Sequence, residues 1–378
     1  MRARVAADSE GRSWFWALLT RAFGWLILAG MYEDDYLGIL EQLESYINRL
    51  LTSGLIVGGV PARMLAEIAR EWPDATLNLE VTDTSLHLEG QVGGKAGGQG
   101  RYSLAGVAPD EFPVFPEQLL GTTLDLADTE GLTAATIAEM IQRTAFAVSR
   151  EDTRPVLNGA LWRVDREGML LVATDAHRFA HYRVPVDLSA KLGGNACSAI
   201  LPAPAMALMS KLLAGAPART VLVFGDTHLM LDVGATQLVS RLIAGPYVDY
   251  QQVIPRGNDR RLRVATDQFL PAVRRVSTLA SAYTHQIRMT LKSGLVELAA
   301  NSPEVGGEAF EQIPAEYDGE PMQTGYNAVY LMEILRRMGA PTVTFELGNQ
   351  VTAAVLRPEG ETGARDYFCL LMPLRSSG

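Results

Sequence analysis

VPARMLAEIAREWPDATLNLEVTDTSLHLEG, residues 60–90, is one of three versions of the same unit along this 378-residue chain. The second is LPAPAMALMSKLLAGAPARTVLVFGDTHLMLDVG (201–234) and the third YNAVYLMEILRRMGAPTVTFELGNQVTAAVLRP (326–358). Each opens with apolar residues at helical spacing, breaks at Pro73, Pro217 or Pro341, and then alternates apolar with polar residues. That change of period predicts a short amphipathic helix followed by two strands, with tight turns at Asp83-Thr84, Asp226-Thr227 and Asn349-Gln350. The copies begin at residues 60, 201 and 326. Such intervals are domain-sized, far beyond the roughly 20–50 residues of a solenoid repeat.

Outward from the repeat, the second and third copies share a further half. LTAATIAEMIQRTAFAVS (132–149) sets Ile137, Met140, Ile141, Thr144, Ala145 and Val148 on one helical face, and strands follow with a turn at Arg166-Glu167-Gly168. ATDQFLPAVRRVSTLAS (265–281) is the equivalent helix, with strands turning at Lys292-Ser293-Gly294. Helix, strands, helix, strands predicts α+β domains with helices gathered on one face of antiparallel sheet. The expected division is a divergent segment 1–59, the rest of a first domain at 60–128, a second domain at 129–254 and a third at 255–378.

Composition suits three buried cores, at 48% hydrophobic and 20% charged. The net charge of −10 argues against wholesale coating of nucleic acid, whose phosphates attract lysine and arginine, and leaves room for a local basic surface. Cys197 and Cys369 stand far apart in apolar runs, as reduced thiols in a cytosol do, which places the chain in the cytoplasm rather than in a disulfide-forming compartment.

DTRPVLNGALW (152–162), LLVATDAHRFA (170–180), SRLIAGPYVDYQQVIP (240–255), LAANSPEVGGEAFE (298–311), TGYNAVYL (324–331) and YFCLLMPLR (367–375) together resemble the bacterial DNA polymerase III beta subunit, the replicative sliding clamp. They occur in that family's order and at about its spacing, over Val60 to Arg375. The resemblance implies three DNA-clamp domains per chain, a head-to-tail homodimeric ring around double-stranded DNA, no catalytic centre and no cofactor. It implies as partners the DNA polymerase III alpha subunit, the clamp loader and other proteins carrying clamp-binding motifs. The ring is dimensionally sound. Twelve helices, each ~10 Å across, make a circle of about 120 Å, hence a centre line ~38 Å wide and an opening of ~28 Å. Two heterologous contacts close such a ring.

Three groups of residues follow from the resemblance. The helices expected to line the hole carry Arg63, Arg70, Arg143, Arg150, Arg154, Lys211, Arg274, Arg275, Arg336 and Arg337, a dispersed charge suited to phosphate contacts that read no bases. Glu67, Glu71, Glu139 and Glu333 dilute it. The peptide groove of the family maps onto Leu157, Thr174, His177, Arg178, Phe179, Val248, Val253, Asn327, Tyr330, Val351, Ala353, Met372, Pro373, Leu374 and Arg375. Met372 is the adaptable anchor, since an unbranched thioether repacks against varied side chains. The seam of the ring maps onto Arg101, Tyr102 and Leu104 of one copy, facing Thr278, Leu279, Glu304 and Glu308 of the next. The chain departs from the family strings at Ala176, where glycine is usual, at Phe179, where leucine is frequent, and at Val248, where proline usually precedes the Asp-Tyr pair.

The amino terminus departs further. SWFWALLTRAFGWLILAGMY (13–32) is almost continuously apolar and YEDDYLGILEQLESYINRLL (32–51) reads as an acidic amphipathic helix. No convincing small-residue cleavage site follows, and Arg21 sits mid-run, against both a signal peptide and a membrane span. The preferred account is a divergent or misread start. It gives weight to a second functional reading, a clamp-like peptide-binding adaptor that no longer closes a ring. A third reading, a metal enzyme built on Asp175, His177 and His181, lacks a compact ligand set in the local sequence. GQVGGKAGGQGR (90–101) fails as a phosphate loop, because Lys95 precedes neither Ser nor Thr and no helix follows; it reads as a hairpin tip.

Overall fold

The structure, a computed structural model, describes residues 62–72, 77–82, 85–92, 97–106, 119–189, 192, 196–217, 219–234, 236–302, 306–360 and 365–374. The expectations for segment 1–59, the Pro73 break and the Asp83-Thr84 turn lie outside these residues. The chain divides into two compact units, residues 1–119 with 234–239, and the remainder.

In the first unit, helix α1 (Ala62–Glu71) precedes an antiparallel meander of strands Leu77–Thr82, Ser85–Val92 and Gly98–Ala105. The period-2 alternation sends Leu77, Leu86, Leu88 and Leu104 to one face, where they bury Trp72 and meet Leu65 and Ile68 of α1. Val92 pairs with Gly98, so the glycine-rich segment joins two strands of a hairpin.

In the second unit, Thr133 caps helix α2 (Ala134–Thr144), its hydroxyl accepting from the Thr136 amide at 3.1 Å. Ile137, Met140, Ile141 and Thr144 are buried, as the helical period requires. Helix α3 (Ala203–Ala214) packs on α2, and α4 (Thr266–Ser277) packs on α5 (Ala328–Met338). A nine-stranded antiparallel sheet runs in the order 316–317, 260–265, 342–347, 354–358, 366–371, 178–184, 168–174, 159–165 and 197–202. A second sheet runs in the order 307–314, 295–302, 286–292 and 322–327. Helix α2 lies against strands 168–174 and 178–184, and α4 against 286–292, 295–302 and 307–314. This is the α+β, antiparallel architecture expected from the repeat.

The long sheet crosses residue 254 because the last strand, Asp366–Leu371, pairs with Arg178–Val184, with Leu371 opposite Arg178 and Leu370 opposite Phe179. The carboxyl-terminal run is therefore core down to Leu371, which is fully buried, while Met372 is 45% exposed.

Three turns are of the expected kind, one of them at Asp226-Thr227, where the Gly225 amide donates to the His228 carbonyl at 3.0 Å. Asp165 pairs with Gly168 and Lys292 with Leu295. Gly168 has φ +123°, and a Cβ there would lie 2.1 Å from the Val184 carbonyl oxygen, so only glycine fits. The third repeat differs. No tight turn forms at Asn349-Gln350; residues 348–353 make a wider connection, because Asn349 Oδ1 accepts from the amides of Val351 and Thr352 and from the Thr352 hydroxyl, each at 2.9 Å.

Among the described residues no helix is long and apolar enough to cross a membrane, and no group of His, Cys, Asp or Glu could hold a metal ion. Both cysteines are free thiols; burial pushes the pKa of Cys369 up to about 12.

Candidate functional site

The hairpin loop Thr174–Arg178 is knotted by its own polar groups. Asp175 Oδ1 accepts from the amides of His177 (3.0 Å) and Arg178 (2.9 Å), and the Thr174 hydroxyl donates to the Arg178 carbonyl at 2.7 Å. Ala176, at the usual glycine position, is held at φ +75°. The tail docks on this loop, the Met372 amide donating to the His177 carbonyl at 2.9 Å and the Leu374 amide to Gly325 at 2.8 Å.

Behind the loop lies a stack of rings. Phe179, 2% exposed, stacks on Tyr250 at 6.1 Å and meets Phe368 at 5.9 Å. His181 lies 4.6 Å from Phe368, and burial pulls its pKa down to about 4 despite the neighbouring Asp366. Phe179 thus floors a cavity of about 250 Å³ walled by Leu157, Val248, Val253, Leu370 and Met372. Leu157 is placed by the short helical turn Pro155–Leu157, and Val253 by the turn Tyr250–Val253, which Asp249 caps. Val248 and Val253 are 41% and 56% exposed, so the cavity is open and apolar. Such a surface suits a short extended peptide with apolar side chains.

Of the groove residues expected from sequence, the structure brings Leu157, Thr174, His177, Arg178, Phe179, Val248, Val253 and Met372 to this one cavity. Tyr330 stacks on His177 at 6.1 Å. Ala353 packs in the core cluster with Phe179, below the floor. The others among the described residues do not line this cavity. Asn327 caps α5, accepting from the amides of Val329 and Tyr330. Val351 is 66% exposed in the 348–353 connection. Pro373 and Leu374 are half-buried where the tail bridges Gly325. Arg375 lies outside the described residues. Asp249, Tyr250, Leu370 and Ala176 also line the cavity and were not anticipated. The strand alternation of YFCLLM places Leu370 and Met372 on one face and could have signalled Leu370.

The basic residues divide by their partners. Arg70, Arg150, Lys211, Arg274, Arg336 and Arg337 are exposed. Arg154, expected to face DNA, lines the groove. Arg143 is turned inward, 3.1 Å from Glu139 and 5.0 Å from the Tyr367 ring centre. Arg275 is exposed but grips Glu311 through two bonds of 2.8 and 2.7 Å, which neutralises much of its charge. The side chain of Arg63 lies outside the described residues.

At the expected seam, strand Gly98–Ala105 ends one sheet and Gly307–Pro314 ends another among the described residues. Tyr102 is 44% exposed and meets Trp72 edge-on at 5.5 Å. Leu104 is 8% exposed, packed in its own core with Trp72, Leu77, Leu86 and Leu88, which leaves little of it for the seam assigned to it. Arg101 pairs with Glu89 at 3.1 Å in its own hairpin. Thr278 is exposed, Leu279 is half-buried and lies against Gly307, Glu308 is exposed, and Glu304 lies outside the described residues.

An α+β chain with a repeated helix-and-sheet unit and an open apolar groove beside its own tail has the build of a clamp, which tethers partners. Family models of the DNA polymerase III beta subunit match residues 131–249 (central domain) and 251–375 (carboxyl-terminal domain). The beta sliding clamp of Pseudomonas putida is 28% identical over 317 residues, covering 84% of this chain and 81% of the relative. The solved clamp of Bartonella birtlesii bound to griselimycin is 30% identical with a TM-score of 0.67, covering 84% of this chain and 81% of that one. The C. crescentus clamp, solved with PEG at the region assigned to beta-motif tethering, is 29% identical with a TM-score of 0.67 over the same shares. The chain belongs to the DNA polymerase III beta subunit family. It is a sliding clamp, a processivity factor rather than an enzyme.

Proposed function

We propose that two copies of this chain close head to tail around duplex DNA in the cytoplasm, and that the groove between Phe179 and Met372 receives short peptides of the polymerase III alpha subunit, the clamp loader and other clamp-binding proteins. The observation that carries the reading is the apolar cavity of about 250 Å³ whose wall is the chain's own tail. Burying apolar side chains there supplies roughly 25 cal/mol per Å² without demanding one peptide sequence.

The seam reading rests on the two open sheet edges. Gly100, Tyr102 and Leu104 share the Trp72 face of their strand, and Gly307 and Glu311 share the α4 face of theirs. In this reading the edges join with like faces together, Tyr102 on the side of Leu279 and Arg101 on the side of Glu308. The exposed cations Arg70, Arg150, Lys211, Arg274, Arg336 and Arg337 are assigned to the DNA side. The division into 60–128, 129–254 and 255–378 remains the working domain scheme.

Retention on DNA tests encirclement. Loaded onto a closed circular plasmid, the protein should co-migrate with it through gel filtration and be released when the plasmid is cut once. Equal retention on circle and line refutes the ring and favours the adaptor.

A further inference from the structure

The loop Thr174–Arg178 forms one lip of the groove, yet two of its outside anchors lie on a helix that does not line the cavity. Arg178 is 10% exposed at its side chain and forms ion pairs with Asp175, at 3.0 Å within the loop, and with Glu333 on α5. Its guanidinium lies 4.5 Å above the Tyr330 ring of the same helix and 5.3 Å from Phe146. Tyr330 also stacks on His177. Tyr330 and Glu333 are three residues apart and therefore share one face of α5.

The division of labour among these contacts is informative. Asp175 moves with the loop, so its pair with Arg178 does not fix where the loop stands. Glu333 does, because it belongs to a separate element. The loop needs such a hold: Ala176 sits at φ +75°, a conformation that costs a non-glycine residue about 1–2 kcal/mol and persists only where the surroundings impose it.

We propose that Glu333 is a positioning residue of the peptide groove. Through Arg178 it fixes the loop 174–178 to helix α5, so that His177 and Phe179 stand at the spacing a bound peptide needs. The sequence placed Glu333 among acids that dilute a basic helix; its carboxylate is instead committed to Arg178. The proposal rests on the groove reading above.

Calorimetry with a synthetic polymerase-derived peptide bearing leucine and phenylalanine anchors tests it. Glu333→Gln should weaken the peptide by about fivefold, the low end of coupling between linked sites. Dimer mass should stay unchanged, and Glu333→Asp should recover part of the loss. In an Arg178→Lys background the same Glu333→Gln change should cost much less, as expected when one residue acts through the other. An undiminished loss in that background overturns the assignment even if Glu333→Gln lowers stability. Wild-type binding matched by Glu333→Gln overturns it directly. If the wild-type protein binds no peptide at all, the groove reading falls and takes the proposal with it.

Discussion

Acid should loosen the ring stack beneath the groove through His181. The imidazole is 7% exposed, stacked 4.6 Å from Phe368, and Nδ1 lies 3.3 Å from the Asp366 carbonyl and 3.7 Å from its carboxylate. Burial lowers its pKa from 6.5 to about 4; Asp366 opposes this, while Arg183 and Arg357 reinforce it. Arg357 also holds Asp366 at 3.1 Å, which leaves less of that carboxylate for an imidazolium. The folded pKa lies below the unfolded one, so this contribution is fully present above pH 6.5 and is lost as pH falls from 6.5 towards 4. Between pH 7 and 4.5 one proton taken up only by the unfolded chain costs about 2–3 kcal/mol. The carboxylates held low by arginine or lysine, Asp165, Glu297, Glu311 and Glu359, begin to lose their contributions as pH nears their ordinary values of 3.8 to 4.5, so the window from pH 7 to 5 isolates the histidine and the His181→Phe comparison separates the two at pH 4.5. Urea unfolding at pH 7, 6, 5 and 4.5 measures the loss, and His181→Phe, which keeps the stack, should flatten it. Parallel pH dependence in wild type and His181→Phe, or an NMR titration of His181 centred near 6.5, would refute the reasoning.

Three other outcomes follow from single positions. Ala176→Gly should raise stability by about 0.5–1 kcal/mol, the relief of a left-handed alanine less the added freedom of the unfolded chain, read as a higher melting temperature. Tyr102→Ala should shift native mass from dimer to monomer, whereas Leu104→Ala should lower stability by about 2–5 kcal/mol as a cavity in the first unit's core; a Tyr102→Ala dimer as tight as wild type would remove the seam. Deleting residues 372–378, and leaving the buried Leu371 in the sheet, should abolish peptide binding by calorimetry at unchanged dimer mass.

The repeat was legible because a helix followed by period-2 strands leaves the same trace wherever it occurs, and the buried face of α2 can be read from Ile137, Met140, Ile141 and Thr144 alone. The groove was legible only through resemblance. Leu157, Phe179, Val248 and Met372 come from separate elements, and no local pattern joins them; the pairing of 366–371 with 178–184 brings the tail to Phe179, and the turns at 155–157 and 250–253 supply the other wall. Side-chain commitments were invisible. An arginine in sequence looks the same whether it faces solvent, as Arg274 does, or lies against Tyr367, as Arg143 does. Nothing in the sequence around Asn327 shows that its side-chain oxygen accepts from the first amides of α5. Wide connections hide likewise: Asn349-Gln350 has turn composition, and only the three bonds to Asn349 widen it.

These commitments also bear on sliding. With Arg143 and Arg275 neutralised in place and Arg154 at the groove, the exposed cations assigned to the DNA side among the described residues thin to one, two and three in the successive domains. A duplex leaning on one side of a wide hole meets only some of them at once. If about three phosphates are neutralised at a time, log K falls with log salt at a slope of roughly −3, far shallower than for a protein that grips a site through six to ten phosphate contacts. Retention must then come from closure, and each contact is weak enough to be exchanged for the next phosphate along. The net charge of −10 fits that arrangement, since a strongly basic lining would hold the duplex at one place instead of letting it pass.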